Sequence, residues 1–285
     1  MSKSDYYDDD GYERCVVTFF DILGFRALLK QRSASEIASM MSTFRTVSES
    51  DEPIEPVRRM KEARVISQPQ VEWISDAIVR SRTVDVQQRS GPLSWELIDL
   101  LHIQIACVRN GILIRGATTI GPMHLGLNFE GPVFGPALVE AYEMEDAEVV
   151  YPRIVVMDEA LEAHKRDRSL WNDGHTYSDE KQFLDKWLRR DGNGPHYIDY
   201  LRASYEEFDD PSIDWPTFLG EHKTLIEAGF DADPPARVKR KYSWLQAYHN
   251  EVIHEVLDRT PSDAFSEEFE MPVRDLFADL MIAKT

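Results

Sequence analysis

The stretch Cys15–Arg26 constrains the fold more than any other part of the chain. Val16–Phe20 are apolar or β-branched, which predicts a buried β-strand. The strand ends on the carboxylate of Asp21, Gly24 permits a tight turn, and a helix begins at Phe25. A carboxylate at the end of a buried strand, beside the N–H groups that begin a helix, suits a divalent cation on a triphosphate. An Asp that only caps the helix is an equally open alternative.

A second carboxylate, Asp76, lies within the segment Val71–Val79, which has strand-like residues on both sides of it. Small Ser75 and Ala77 flank Asp76, as expected where a hairpin bends close to a ligand. One Asp on each of two neighbouring strands supplies ligands for two divalent ions on a phosphate chain. The alternative is that Asp76 is a plain turn residue, because Asp is common in β-turns.

Composition excludes several classes of function. The chain of 285 residues is 42% hydrophobic and 29% charged, which is ordinary for a soluble globular protein. No apolar run approaches the roughly 18 to 20 residues of a membrane span, and no signal-peptide pattern opens the chain. A net charge of −19 argues against nucleic-acid binding. Cys15 and Cys107 lie in apolar contexts, which predicts reduced core thiols and a cytoplasmic protein.

The pattern of elements divides the chain into three segments. Residues 1–13 are acidic and without periodicity, which predicts a mobile tail. Residues 14–158 predict an α+β domain whose antiparallel sheet carries helices on one face. Residues 159–285 predict a helical C-terminal extension, in which Gly, Pro and Asp separate four or five helices.

Within the α+β domain the sequence predicts the following elements: helices over Arg26–Ser50, Ser94–Asn110 and Ala137–Glu148; strands Ala63–Ser67 and Val71–Arg82 joined at Gln68-Pro69; and strands Ile112–Ile120 and Arg153–Met157. A basic cluster precedes the hairpin and is either a solvated face or a group that reaches phosphates. It consists of Arg58, Arg59, Lys61 and Arg64.

Several motifs resemble those of class III nucleotidyl cyclases, which have an antiparallel ferredoxin-like sheet with helices. The first metal-binding motif of that family runs Phe-x-Asp-x-x-Gly-Phe, and a Gly-Asp hairpin supplies its second Asp. More specifically, the set is similar to the pyrimidine cyclases of bacterial antiphage signalling, the Pycsar systems. The matching residues, which span slightly over half the chain, are Phe20–Phe25, Ser75-Asp76, Arg115–Ala117, Gly135–Glu145 and Tyr151–Val156.

This resemblance implies a metal-dependent cyclase. Two Mg²⁺ or Mn²⁺ ions would be held by Asp21, Asp76 and the carbonyl of Ile22. The ribose 3′-hydroxyl of a nucleoside triphosphate attacks its own α-phosphorus and diphosphate leaves. The family implies a head-to-tail homodimer in which both subunits contribute to each active site. A separate cyclic-nucleotide-binding effector reads the product.

Further site residues follow from the same resemblance. The backbone N–H groups of Leu23, Gly24 and Phe25 would hold the β- and γ-phosphates. Arg115 is the first choice for stabilising the charge that develops on phosphorus, and Arg153 is the second. For Arg115, a strand-end salt bridge is an equally open alternative.

The departures from the purine cyclases concern base selection and the transition state. Glu72 stands where adenylyl cyclases have Lys, as it does in guanylyl cyclases, and Pro136 takes the second base-selecting position. The usual transition-state Asn and Arg fall on Val139 and Glu143. These replacements disfavour adenylyl or guanylyl cyclase activity and leave the transition-state assignment open.

The expected substrate is UTP, which gives 3′,5′-cyclic UMP, with CTP as the alternative. A pyrimidine-selective pocket needs side chains that fill the space of a purine, and Trp73 and Phe20 are the candidates. Glu72 accepts a hydrogen bond from uracil N3–H or from the cytosine amino group, so it does not choose between them. Two other classes stay open: a degenerate cyclase fold that only binds a nucleotide, and an interaction protein whose helical half is the active part.

Overall fold

A computed structural model describes residues 11–49, 66–126 and 132–283. The acidic stretch before Gly11 and the basic cluster Arg58–Arg64 lie outside the described residues. The chain forms two compact units, one of residues 1–103 and 113–198 and the other of residues 104–112 and 199–285. The three-segment division stays a prediction. In the described part of the chain, no helix has the length and apolar character needed to cross a bilayer.

The first unit is built on one sheet. Its strands are β1 (Glu13–Ile22), β2 (Pro69–Ile74), β3 (Ala77–Thr83), β4 (Ile114–Met123), β5 (Ile154–Val156), β6 (Leu188–Arg190) and β7 (His196–Ile198). Its helices are α1 (Phe25–Gln31), α2 (Ala34–Ser48), the N-terminal part of α3 (Pro92–Arg109), α4 (Pro136–Glu148), α5 (Asp158–Arg166) and α6 (Tyr177–Trp187). The strand order is β2-β3-β1-β4-β5-β7-β6, and only the β4–β5 pair is parallel. The predicted α+β class with a mainly antiparallel sheet is confirmed.

Helices cover both faces of this sheet, which corrects the expectation of one covered face. On one face Cys15, Val17 and Phe19 pack with Ala137 and Ala141 of α4, and this face is called the α4 face. The other face packs against α2 and α3 and is called the α2–α3 face. The cause lies in β1, whose central residues are buried on both sides of the strand. A strand that is apolar on both sides must be covered on both.

A buried ion network holds α3 on the α2–α3 face. Arg80 Nε donates to Glu96 Oε1 at 3.0 Å, and Arg82 Nη2 donates to Asp99 Oδ2 at 2.7 Å. Thr18 Oγ1 also donates to Glu96 Oε1, at 3.1 Å. Glu96 and the two arginines are almost fully buried. Buried charges are tolerated only when they are paired and hydrogen-bonded, so this network fixes where α3 lies.

Two elements differ from the sequence-based prediction. The hairpin turns at Ser75-Asp76, as the analysis of Asp76 predicts, and not at Gln68-Pro69. Pro69 instead begins β2, where a residue without an N–H is tolerated. Beyond residue 158, the expected helices are interrupted by β6 and β7, which pair with each other and extend the main sheet. These strands have three residues each, too short for a period-2 pattern to identify.

The second unit is mainly helical. Its helices are α7 (Tyr200–Ala203), α8 (Pro211–Asp231), α9 (Ala236–Arg259) and α10 (Val273–Leu280), with a short hairpin of β8 (Phe265–Ser266) and β9 (Met271–Pro272). α8 and α9 pack against each other, and α10 contacts both. Each of the three buries apolar side chains, as expected for helices that form a core.

A chain of hydrogen bonds between buried rings crosses this helical core. His249 Nε2 lies 2.9 Å from the carbonyl of Leu280, and since a carbonyl only accepts, Nε2 carries the proton. Burial disfavours the charged imidazole, so His249 is neutral and its Nδ1 accepts from His222 Nδ1 at 3.0 Å, while Tyr200 Oη donates to His222 Nε2 at 2.8 Å. Both imidazoles are completely buried. The arrangement requires both histidines to be neutral.

Acid should therefore destabilise the protein through this pair. Burial lowers the pKa of His249 to about 4, and burial together with its neighbour lowers that of His222 well below its usual value. The unfolded chain takes up these protons near pH 6.5, so this stability is fully present above that pH and is lost as the pH falls towards 4. For His249 alone we expect a loss of about 2 to 3 kcal/mol between pH 7 and pH 4.5.

Urea titrations at pH 7, 6 and 5 measure this effect. His249→Gln keeps a side-chain N–H but cannot titrate, so it should be less stable at pH 7 and lose less stability on acidification. His102→Asn, at an exposed position, should behave like the original chain. An unchanged pH slope in His249→Gln would show that the pair does not titrate as described.

Candidate active site

Asp21 and Asp76 come together at one edge of the sheet. Asp21 lies near the end of β1, and the register pairs it with Ala77, the first residue of β3. Ile22 N–H donates to the carbonyl of Asp76 at 3.2 Å, so the turn that carries Asp76 is bonded directly to the end of β1. Both carboxylates are partly exposed. The structure thus places the two residues that the sequence singles out at the same edge of the sheet.

The turn that carries Asp76 is under backbone strain. β2 and β3 are joined by two residues, and Ser75 has a φ of 59°. A side chain in this left-handed region costs roughly 1 to 2 kcal/mol, which Gly avoids. Strain of this kind persists where surrounding structure holds it, often at functional sites. The main-chain bond from Ile22 to Asp76 is one contact that holds this turn in place.

The turn after Asp21 also has the expected form. Gly24 has a φ of 80° and precedes α1, and an added Cβ there would meet no other atom, so backbone conformation is the reason for glycine. Phe25 is buried. Leu23 N–H donates to the carbonyl of Leu113 at 2.8 Å. This bond removes Leu23 from the N–H groups available to a phosphate in this structure and leaves those of Gly24 and Phe25.

Arg115 on β4 lies directly beside Asp21 in the same chain. Its Nε donates to Asp21 Oδ1 at 3.1 Å, and its Nη2 donates to Oδ2 at 3.4 Å. The same Nε lies 2.5 Å from Oε1 of Glu145 on α4, whose side chain is 2% exposed. Burial alone would lower the pKa of Arg115, but the carboxylates of Asp21 and Glu145 outweigh burial and raise it. The salt-bridge alternative for Arg115 is thus present, and its catalytic role stays a prediction.

A glycine allows β4 to approach β1 closely at this point. Gly116 pairs with Phe20, and a Cβ on Gly116 would lie 2.5 Å from the Cβ of Phe20 and 2.6 Å from the carbonyl of Phe19. Real Cβ atoms do not approach that closely, so any other residue would push the strands apart. The glycine that follows Arg115 therefore helps to keep the guanidinium within reach of Asp21.

The structure separates the expected base-contacting residues. Cross-strand pairing puts Glu72 beside Val79 and Phe19, on the α4 face that also carries Asp21. Phe20 and Trp73 lie on the α2–α3 face. Phe20 is completely buried and packs edge-to-face with Phe44, which also contacts Trp73. Their role in filling a base pocket beside Asp21 is corrected, because adjacent residues on a strand point to opposite faces.

Arg153, the second choice for phosphate stabilisation, is held elsewhere. Its Nη1 donates to Asp191 Oδ2 at 2.9 Å, and its guanidinium carbon lies 4.6 Å from the ring centroid of Tyr197. The side chain is 7% exposed. Arg153 therefore joins the β6–β7 turn to the ring of Tyr197 on β7.

The residue that sequence reasoning missed is Glu145. It follows Ala137 and Ala141 along one buried line of α4, and all three are almost fully buried. That spacing of one turn was visible in the sequence, where two small residues predict a close helix–sheet contact. The aligned family positions Val139 and Glu143 lie instead on the exposed side of the helix.

The oxygen donors at this edge of the sheet fit a divalent cation. Within the described ranges, no three His, Cys, Asp or Glu side chains cluster as metal ligands. Asp21 and Asp76 are two hard oxygen donors, and Mg²⁺ is commonly bound by one or two carboxylates, with waters and substrate phosphates completing the shell. The residues fit an ion that arrives with a phosphorylated substrate, provided that Asp21 exchanges its bonds to Arg115.

Comparisons with known proteins find similar chains among the solved structures. No protein-family model and no curated protein matches the chain. The chain is similar to the crystal structure of the catalytic core of a rhodopsin-guanylyl cyclase with converted specificity, in complex with ATPαS. The two are 15% identical with a TM-score of 0.39, and the match covers 66% of this chain and 95% of that one. We therefore base the function on the residues of this chain.

Proposed function

We propose that this protein is a nucleotidyl cyclase that converts UTP to 3′,5′-cyclic UMP and diphosphate. The observation that carries the proposal is the adjacency of Asp21 and Asp76, joined through the bond from Ile22 N–H to the Asp76 carbonyl. A strained two-residue turn and a glycine turn frame the pair. Two carboxylates at a sheet edge, followed by a helix start, suit the binding of a metal-bound triphosphate.

In this proposal each residue has a separate task. The carboxylates of Asp21 and Asp76 and the Ile22 carbonyl would hold two Mg²⁺ or Mn²⁺ ions. When bound, the ions supply positive charge for the triphosphate and activate the 3′-hydroxyl. The N–H groups of Gly24 and Phe25 bind its terminal phosphates. The O3′–Pα bond forms as the bond from Pα to diphosphate breaks, and the hydroxyl proton passes to solvent.

Arg115 is proposed to move between two partners. Its charge is permanent, and it neutralises Asp21 in this structure. Once it no longer pairs with Asp21, the guanidinium would stabilise the negative charge that grows on the reacting phosphate. Glu145 remains paired with the Arg115 guanidinium and limits the distance over which it moves. Arg115 thereby changes from a structural ion pair to a phosphate-stabilising group.

The choice of base rests on Glu72 and on the resemblance to pyrimidine cyclases. Glu72 lies on the α4 face with Asp21, and Gln70 Nε2 donates to its Oε1 at 3.1 Å. That bond orients a carboxylate that can accept from uracil N3–H or from the cytosine amino group. CTP is the alternative substrate. We extend the proposal to a role in antiphage signalling in the cytoplasm. A separate effector binds the cyclic nucleotide product.

We further propose a homodimer with shared active sites. Val139 and Tyr142 lie one turn apart on the outer side of α4 and are 55% and 50% exposed, and Phe134 just before α4 is 46% exposed. Large apolar side chains grouped at a surface favour protein–protein contact. Tyr142 also packs edge-to-face on Phe19, with ring centroids 5.3 Å apart. This surface therefore lies close to the strand that ends on Asp21.

Replacing Val139 with Glu should prevent dimer formation, because a charge would be buried at the centre of the contact. Light scattering should then report a monomer, and cyclase activity should fall with it. Ile213→Glu, at an exposed apolar position of α8, is the matched control and should leave the mass unchanged. A Val139→Glu protein that keeps the mass and activity of the original chain would exclude this surface.

A second candidate function is nucleotide binding without turnover. The bonds from Arg115 to both oxygens of Asp21 favour it, because a non-catalytic fold would also keep such a pair. Each nucleoside triphosphate, incubated separately with the protein and Mn²⁺, distinguishes the two functions. The proposed enzyme releases diphosphate and a cyclic product, whereas the binder shows saturable binding with no product.

A further inference from the structure

An aromatic cavity lies in the first unit and takes no part in the proposed reaction. It has a volume of about 300 Å³, at the small end of the range for ligand sites. Its apolar wall includes Trp95 of α3 and Phe183 and Trp187 of α6, and its polar wall includes Ser94, Asn172 and His175. Trp95 is 49% exposed, an unusual state for the largest apolar side chain.

Three aromatic rings that line the cavity stack in pairs. Phe183 and Trp187 stack with centroids 5.7 Å apart and planes 25° apart. His175 also stacks with Phe183, with centroids 5.9 Å apart and planes 13° apart. The residues at 183 and 187 are one helical turn apart, so α6 itself fixes this part of the wall.

One buried carboxylate holds the polar wall in place. Glu180 is completely buried, and its Oε1 accepts from Asn172 N at 2.8 Å, from Asn172 Nδ2 at 3.0 Å and from His175 Nδ1 at 2.8 Å. Its Oε2 accepts from Ser94 Oγ at 2.9 Å. Every residue of the polar wall named above is therefore bonded to Glu180. A site whose lining is fixed from behind in this way is preorganised for a ligand.

Among the described residues, no lysine or arginine forms an ion pair with Glu180. In the described ranges, the groups within hydrogen-bond or ion-pair distance are Ser94, Asn172 and His175, together with His164 Nε2 at 3.4 Å. Burial raises the pKa of Glu180, but the donors around it outweigh burial and bring it to about 2. A carboxylate behind a low-dielectric aromatic cavity attracts a cation more strongly than it would in water.

We propose that this cavity binds a small organic ammonium ion, held against the faces of Trp95, Phe183 and Trp187 and attracted by the Glu180 carboxylate. Aromatic faces carry negative potential and bind alkylammonium groups in preference to neutral groups of the same shape. The net charge of −19 adds to this preference over the whole protein. A neutral ligand would use the rings but gain nothing from Glu180.

Calorimetric titration of the full chain with choline chloride and with 3,3-dimethylbutan-1-ol tests the proposal. The alcohol has the shape of choline but carries no charge. We expect choline to bind about tenfold more tightly than the alcohol. Trp95→Leu should reduce choline affinity by a similar factor, and Phe265→Leu, at a position 58% exposed in the second unit, should leave it unchanged.

The Glu180→Gln variant distinguishes two roles of Glu180, the electrostatic attraction of the cation and the structural support of the cavity. The amide keeps the shape of the side chain but removes the charge, so a protein that still folds should lose affinity for choline and keep that for the alcohol. Circular dichroism checks the fold of each variant. Equal affinity for choline and the alcohol, no detectable binding of choline, or unchanged choline affinity in Trp95→Leu would each overturn the proposal.

Discussion

Replacing Asp21 or Asp76 with Ala is expected to abolish nucleotide turnover, with a loss of about a thousandfold or more in kcat/KM. Each change removes one of the two carboxylates of the residues that lie at this edge of the sheet. The cations that screen the triphosphate would then lose an anionic ligand. The Asp76 change should leave the fold intact, because its side chain is partly exposed in a turn. The Asp21 change leaves Arg115 with Glu145 as its partner.

The control for both variants is Asp191→Ala. Asp191 also forms an ion pair with an arginine, Arg153, just before β5, but has no part in the proposed reaction. Its replacement should leave the rate of turnover close to that of the original chain. Turnover is measured with Mn²⁺ at saturating nucleotide. Full activity in the Asp21 or Asp76 variant would mean that the active site lies elsewhere.

The largest expected effect on stability is that of Glu96→Ala. Glu96 is completely buried and pairs with Arg80, which is 1% exposed, and lies 3.6 Å from Arg82 Nε. Its removal leaves buried guanidinium groups without their main counter-charge, which costs about 3 to 5 kcal/mol. Asp99 cannot compensate fully, because it is 27% exposed and already bonded to both arginines. Urea titration of the circular dichroism signal measures the loss.

Two further variants identify the cause. Glu96→Gln keeps the shape of the side chain and one hydrogen-bond acceptor. A large loss of stability in this variant as well would assign the effect to the charge of Glu96. Asp185→Asn removes an exposed pair with Lys181 on α6 and should have no measurable effect. If Glu96→Ala destabilised the protein no more than Asp185→Asn, the ion network would not hold α3 against the sheet.

The fold was largely predictable where patterns were long. β1, α3 and α4 have enough residues for buried positions to repeat, and the structure confirms them within a few residues. β6 and β7 could not be predicted, because three residues give no periodicity and the aromatic residues around them also suit helices. Their place in the sheet depends on pairing with β5, which is a long-range contact.

The features of the site that depend on local main-chain structure could be predicted from the sequence. Asp21, Gly24 and the turn at Asp76 follow from strand ends and turn chemistry, which are local. The separation of Phe20 from Asp21 also follows from strand alternation, which the sequence contains. The ion pair of Arg115 with Glu145 could not be predicted, because it depends on how α4 lies on the sheet.

Competition between nucleotides tests the central claim most directly. The purified full chain is incubated with equal concentrations of UTP, CTP, ATP and GTP and with Mn²⁺, and the products are identified by mass spectrometry. We predict 3′,5′-cyclic UMP as the dominant product, absent from the Asp76→Ala protein. Dominant cyclic CMP would contradict only the choice of uracil, and a dominant cyclic purine nucleotide would contradict the pyrimidine specificity. No cyclic nucleotide from any of the four would contradict the cyclase function itself.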